Sequence, residues 1–263
     1  MSHKTLVNGT AYTVKGGKCL VGGTSYDIKK GRTLINGTGY DITFGSSYDP
    51  VFANNTWEQI IEACHNNEVP DTWNVADQKP MAINGVGYQI DIIGKNHDDY
   101  SDGSGKAPLT FQLHDCYRTK YEMNESGTND VGWIGCDMRN TYLPAILALM
   151  PAEAQSGIRK VKKKTAGGNQ STNIYTTKDK LFLLSEIEVF GNVIYSMSGE
   201  GTWYDYYKVT NRKVKNYNGR ATEWKERSPN GKNSWDFCVV RNTGYAMSSS
   251  ANNKGGVAFA FCF

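Results

Sequence analysis

Apolar and polar positions in the first 46 residues recur in a fixed frame. Leu6, Leu20 and Leu34, then Gly9, Gly23 and Gly37, then Tyr12, Tyr26 and Tyr40 are each 14 residues apart. Every unit sets an apolar pair before Asn-Gly or Gly-Gly and a β-rich segment such as TAYTV behind it. Those turn residues accept the positive φ angles of a tight primed turn, so the frame predicts three β-hairpins. Hairpins this small cannot bury a core alone. They must stack on one another, on the rest of the chain, or on copies in a homo-oligomer, which suits a stalk or attachment module over residues 1–46.

From residue 47 the pattern changes. Asn55-Thr56 offers an N-cap, and Trp57, Ile60, Ile61 and Cys64 follow at helical spacing, predicting a first helix that ends by Pro70. INGVGYQI repeats the hairpin signal inside the main domain. LTFQLHDCY, IRKVKKKT and KLFLLS read as strands, AGGNQSTNIYTT as a loop, and MRNTYLPAILALM as a second helix that Pro144 kinks or splits. Beyond Gly199 the pattern gives loops and short strands up to VAFAFCF. Two helices beside many short strands imply an α+β fold over residues 47–263.

Composition sharpens this picture. In 263 residues there are 28 glycines, and charged residues are only 21%, below a typical ~25%, so the polar bulk comes from Asn, Ser, Thr and Tyr. A net charge of +3 gives no general pull toward nucleic acid. No apolar run is long enough to span a membrane, and the first residues lack a secretory pattern, so the chain is expected to be made in the cytoplasm without a signal peptide. Six scattered cysteines fit reduced core positions better than a metal cage. Cys238 and Cys262, both in Phe-Cys pairs near the C-terminus, are the candidate disulfide, provided their strands are adjacent.

Candidate chemistry is sparse. His97 and Asp98 open an Asp- and Gly-rich loop and are weak metal candidates, but the spacing matches no calcium loop, and turn capping by Asp side chains is the simpler reading. His114 and Cys116 share a strand face without an identifiable acid or oxyanion hole, so no catalytic residue is assigned and no enzyme is expected. The basic run from Arg159 to Lys164 would divide its charges between two strand faces, which favours a solvated strand over a phosphate site. No glycine pattern proposes a nucleotide, and no cofactor is expected. The last quarter interleaves rings with amides: Trp203, Tyr204, Tyr206, Tyr217, Asn218, Trp235, Asp236, Asn242, Tyr245, Asn252 and Asn253. Rigid rings supply contact area and small amides supply hydrogen bonds, so these residues are the candidate ligand-binding set.

The motifs GWIGCDMRNTYLP, KLFLLSEIEVFG, EGTWYDYY, WKERSP, FCVV and GGVAFAFCF, with TWEQIIEAC, WNVADQK and IIGKNHDDY before them, resemble a domain of uncharacterised function found in phages and prophages of Gram-positive gut bacteria. The resemblance covers roughly residues 50–263, and repeats like LINGTGYDI precede that domain in tail-associated proteins. The order of a Trp-rich stretch, Arg-Ser, polar loop and Gly-Val-x-x-x-Phe is also similar to the C-type lectin-like fold shared by formylglycine-generating enzymes and by the variable tip proteins of diversity-generating retroelements. The enzymes' cysteine pair is not recognisable here.

These resemblances imply a virion tail-tip or tail-fibre receptor-binding protein. It would meet a bacterial surface protein or glycan, and other phage tail proteins, as a homo-oligomer with a trimer favoured. A retroelement-diversified tip is one form of that reading. A structural tail component is the alternative, and a relative of formylglycine-generating oxidases comes third. Nucleic acid and membrane are not expected partners.

Overall fold

The computed structural model describes residues 48–263, apart from the side chains of residues 210 and 211, and describes six strands by their backbone among the first 47 residues. By its internal contacts the chain divides into two units, residues 1–49 and 50–263. In the first unit β1 (Lys4–Val7) pairs antiparallel with β2 (Thr10–Thr13), β3 (Gly17–Val21) with β4 (Thr24–Ile28), and β5 (Lys30–Ile35) with β6 (Thr38–Thr43). Each repeat therefore forms its own two-stranded sheet. The side chains of the repeated Leu and Tyr positions, and Cys19, lie outside the described residues.

The second unit mixes short helices with antiparallel strands, an α+β arrangement. Thr56 caps α1 (Trp57–His65) in a full capping box with Gln59, satisfying two amides that a helix start leaves open. Trp57, Ile60 and Cys64 then fall on the buried side of α1. The strands β7 (Gln78–Ile83) and β8 (Val86–Lys95) form the hairpin expected from INGVGYQI, turning at Asn84 and Gly85 with φ of 48° and 75°. With β9 (Leu109–Leu113), β12 (Leu181–Phe182) and β18 (Ala260–Cys262) they build a five-stranded sheet in the order β12-β18-β9-β8-β7. The C-terminal strand thus lies inside the sheet.

One face of this sheet is aromatic. The Phe111 ring meets Phe52, Trp57, Phe261 and Phe263 with centroids 5.3–6.1 Å apart, each such pair contributing about 0.5–1.5 kcal/mol beyond area burial. Trp57 also donates its indole N–H to the Pro80 carbonyl at 2.9 Å, fixing α1 on β7.

Several expectations change. The segment read as a loop before Lys180 contains β11 (Ile174–Asp179), paired antiparallel with β10 (Val161–Ala166). Its polar composition hid it, because it buries only alternate side chains. The second helix is broken into α2 (Gly132–Gly135), a π turn over 138–142 and α3 (Leu143–Leu147), with Pro144 in the first turn of α3 where its missing N–H costs nothing. Two helices beyond the expected pair are α4 (Ala152–Gly157) and α5 (Glu186–Phe190). Ser185 and Glu188 cap α5 reciprocally, and Gly191 closes it at φ 80°. Among the described residues no helix is long and apolar enough to cross a membrane.

The remaining strands are β13 (Lys215–Tyr217) with β14 (Arg220–Thr222), and the meander β15 (Trp224–Pro229), β16 (Asp236–Val240) and β17 (Ala246–Ser250). Cys238 lies on β16 and Cys262 on β18, in different sheets, and both are free and buried. The condition for the candidate disulfide, adjacent strands, is not met.

Candidate recognition surface

Two sets of side chains divide the aromatic C-terminal region. The first set is internal. Tyr204 is fully buried, stacks on His97 at 3.7 Å and donates its hydroxyl to Asp98 at 2.6 Å. Tyr206, also buried, donates to Asp91 at 2.6 Å, and Tyr207 donates to Gln112. Tyr204 and Tyr206 therefore leave the ligand-binding set, because their hydroxyls are spent on carboxylates of the core.

The carboxylates they meet are themselves tied. Asp98 accepts from Lys163 at 2.7 Å and from Thr110 at 2.6 Å. Lys163 reaches Glu188 at 2.6 Å, and Glu188 holds Arg227 through both its oxygens. Arg227 donates further to the carbonyls of Lys164, Leu183 and Glu200, so its guanidinium is satisfied although fully buried. Burial alone would raise the Asp98 carboxyl, but the Lys163 charge and His97 hold it well below the usual range. His97 and Asp98 thus serve this network. Among the described residues no group of three or more His, Cys, Asp or Glu is arranged to hold a metal ion. Asp102 in the same loop accepts from the Ser104 amide at 2.9 Å and from Arg159 at 2.7 Å, which is turn capping of the expected kind.

The second set faces solvent around the meander and the neighbouring hairpin. Trp235 is 60% exposed and Tyr245 73% exposed, the two least buried rings of the candidate set. Trp235 directly precedes β16, where its carbonyl accepts from the Ala251 amide at 2.8 Å. Tyr245 closes the turn at the other end, where its carbonyl accepts from the Arg241 amide. From Trp235 to Arg241, which faces Tyr245, is six residue steps, roughly 20 Å at strand rise. Exposed Asn252 and Asn253 lie at the Trp235 end and exposed Asn242 at the Tyr245 end. The strand joining the two ends, β17, is an edge strand of the meander. Asp236 sits at the root, accepting from Ser248 at 2.9 Å and from Asn233 at 3.0 Å, so it braces the ribbon rather than offering a free carboxylate.

Two clefts adjoin this ribbon. One of about 420 Å³ is lined by Lys120, Tyr217, Asn218, Arg220, Ala221 and Thr222. Another of about 330 Å³ is lined by Ala221, Thr222, Glu223, Arg241, Asn242 and Met247. They share Ala221 and Thr222, with Tyr217 and Asn218 bordering the first and Asn242 the second. The β13–β14 turn that shapes the first needs positive φ at both Asn218 (50°) and Gly219 (75°), which Asn and Gly supply at low cost. Lys120 packs over the Tyr217 ring at 4.7 Å and donates to the Thr222 hydroxyl at 3.0 Å. The Tyr217 hydroxyl donates to the Arg118 carbonyl at 3.1 Å, which fixes the ring plane.

Trp203 stands apart from both clefts. It is 38% exposed, donates its indole N–H to Val189 at 3.1 Å and lies against Gly191, where a Cβ would come within 2.6 Å of the ring. Lys120, Arg220 and Arg241 were missed from sequence. Arg220 follows Tyr217-Asn218 closely enough to have been noticed, whereas Lys120 arrives from 97 positions away and carries no local signal.

A chemical reading follows from these parts. Rings that can lie flat on a sugar, amides and hydroxyls around these clefts, and three cations beside them make a surface for polar, partly anionic ligands. His114 and Asp91 form the nearest approach to a catalytic pair: the Asp91 hydrogen bond raises His114, and the two are 2.9 Å apart. The Asp91 carboxylate also takes Gln78 and Tyr206, so the pair is locked into core hydrogen bonds. Cys116 is buried and its thiol is pushed up to about 12 by burial, the reverse of an activated nucleophile.

A family model described as a domain of unknown function, DUF6273, matches residues 109–263. No curated protein and no solved structure matches the chain.

Proposed function

The chain belongs to the DUF6273 family, and from the geometry of its exposed ribbon we propose that it is a recognition protein that binds a bacterial surface glycan or protein. The observation that carries this reading is the placement of Trp235 and Tyr245 at opposite ends of one ribbon, 60% and 73% exposed, in a unit whose other large rings are mostly internal. Burying two such rings is the main source of affinity available to a surface with few charges. The Tyr217 cleft between Lys120 and Arg220 adds a place for a ring-stacked sugar bearing an anion.

The finer reading is a tail-tip receptor-binding protein of a phage or prophage, its second unit of C-type lectin-like type. The paired repeats of the first unit act as the attachment stalk, and several copies, favouring a trimer, gain residence time through effective concentration. The variable tip proteins that motivate this comparison use C-terminal Tyr, Asn, Ser and Trp positions, the residue types that line the ribbon. The test is a glycan array and whole-cell pull-down with the full chain, beside a Trp235→Ala/Tyr245→Ala variant. Selective binding that the double variant loses supports the reading; binding of equal strength by both proteins overturns it.

A further inference from the structure

The basic run from Arg159 to Lys164 divides its charges between two strand faces, as expected. Lys163 points inward to Asp98 and Glu188. Lys162 and Lys164 are exposed on the outer face of β10, and Lys178 of β11 is the direct cross-strand partner of Lys162. Like charges placed directly opposite destabilise a strand pair. Continuing the register one row sets Lys160 beside Lys180, and both border a cleft of about 270 Å³ whose lining also holds Arg139, Lys178, Asp179 and the apolar Leu143, Leu147 and Leu181. Among the described residues no acid lies in ion-pair range of Lys160, Lys162, Lys164 or Lys178, and the nearby Asp179 is turned inward to Arg139, Trp133 and Thr177.

Same-face lysines on a strand recur about every 6.8 Å, and the two strands lie about 5 Å apart. The outer face therefore presents a two-wide ladder of ammonium groups. It carries no aromatic ring: Thr176 completes the row opposite Lys164, and Tyr175 pairs with Thr165 on the other face. A face without rings has no platform for stacking bases. Edge protection alone would be met by isolated lysines and does not require two to face each other.

We propose that the outer face of β10 and β11 binds a linear anionic polymer that carries a phosphate on each repeat and has no bases. The ladder tracks the repeating charge. The site is separate from the ribbon of Trp235 and Tyr245 and does not depend on that reading.

The experiment titrates the full chain with long-chain inorganic polyphosphate, and with oligothymidine of equal charge, over a series of salt concentrations. The expected result is polyphosphate binding that weakens linearly in log salt, with binding weaker by about tenfold or more, and a shallower salt dependence, in the Lys160→Gln/Lys162→Gln/Lys164→Gln/Lys178→Gln variant. Lys178→Glu serves as a second variant: it converts the facing lysines into an ion pair, so its melting temperature should not fall while its polyphosphate affinity does. Equal affinity in wild type and both variants overturns the proposal. Tighter binding of oligothymidine than of polyphosphate also overturns it, in favour of nucleic acid.

Discussion

Tyr204 and Tyr206 sit in the same aromatic stretch of sequence as Trp203, and the same ring-and-amide composition continues to Tyr245, yet the structure uses these rings in opposite ways. Around Tyr204 and Tyr206, carboxylates from β8 and the following loop arrive to accept each hydroxyl, and the rings become core. Around Tyr245 and Trp235 the chain turns at the ends of an edge ribbon, and among the described residues no second layer covers them. What separates an exposed ring from a structural ring here is the partner brought from a distant segment, not the local composition.

That contrast can be broken at several points. The largest effect is expected at Arg227, whose removal leaves Glu188 and Asp98 buried with Lys163 as their one remaining cation among the described residues. Arg227→Ala should cost about 3–5 kcal/mol in denaturant unfolding, and a loss below about 1 kcal/mol would show that the internal network is not what holds this region. Tyr204→Phe keeps the ring and deletes the hydrogen bond donated to the Asp98 carboxylate and the longer one accepted from Lys163, with an expected loss of about 1.5–3 kcal/mol and no change in ligand binding. A binding defect in that variant would return Tyr204 to the recognition set.

The pH dependence gives a third handle. Burial raises the Glu200 carboxyl to about 7 from the usual 4.5, against opposing hydrogen bonds from Ser228 and the Ala166 amide. The folded state then holds its proton more tightly than the unfolded state, so this group's contribution is most favourable at low pH and is lost as pH rises from about 4.5 through 7. Glu226, raised well above its usual value of 4.5 by burial and by Glu186, acts in the same direction from about 4.5 upward. Glu200→Gln should flatten the decline in unfolding free energy between pH 5 and 7; an unchanged slope would contradict the assignment. The smallest stability effect belongs to the exposed ribbon, where Trp235→Ala and Tyr245→Ala should each change unfolding free energy by about 0.5 kcal/mol or less. A larger loss would mean that these rings pack on something.

The repeat frame, the first helix and the β7–β8 hairpin were legible because their signals are local: a 14-residue period, a Thr56 cap and an Asn-Gly turn. The Ser185-x-x-Glu188 signature of α5 was equally local and was passed over inside an apolar run. β11 escaped because a strand buried on alternate positions in a Thr- and Lys-rich segment reads as loop. The candidate site divided on the same principle. Half-buried Tyr217 and exposed Asn218, Trp235, Asn242, Tyr245, Asn252 and Asn253 were readable as residue types, whereas Lys120 and the burial of Tyr204 and Tyr206 depend on segments about 100 residues apart in sequence.

The most direct test of the central claim is the affinity of the full chain for intact Gram-positive cells or their isolated surface glycans, measured beside Trp235→Ala/Tyr245→Ala in the same oligomeric state. The ribbon account predicts a saturable interaction that the double variant loses by about tenfold or more while its unfolding curve stays in place. Equal binding by the two proteins, or no binding by the wild type to any cell or glycan, would contradict it.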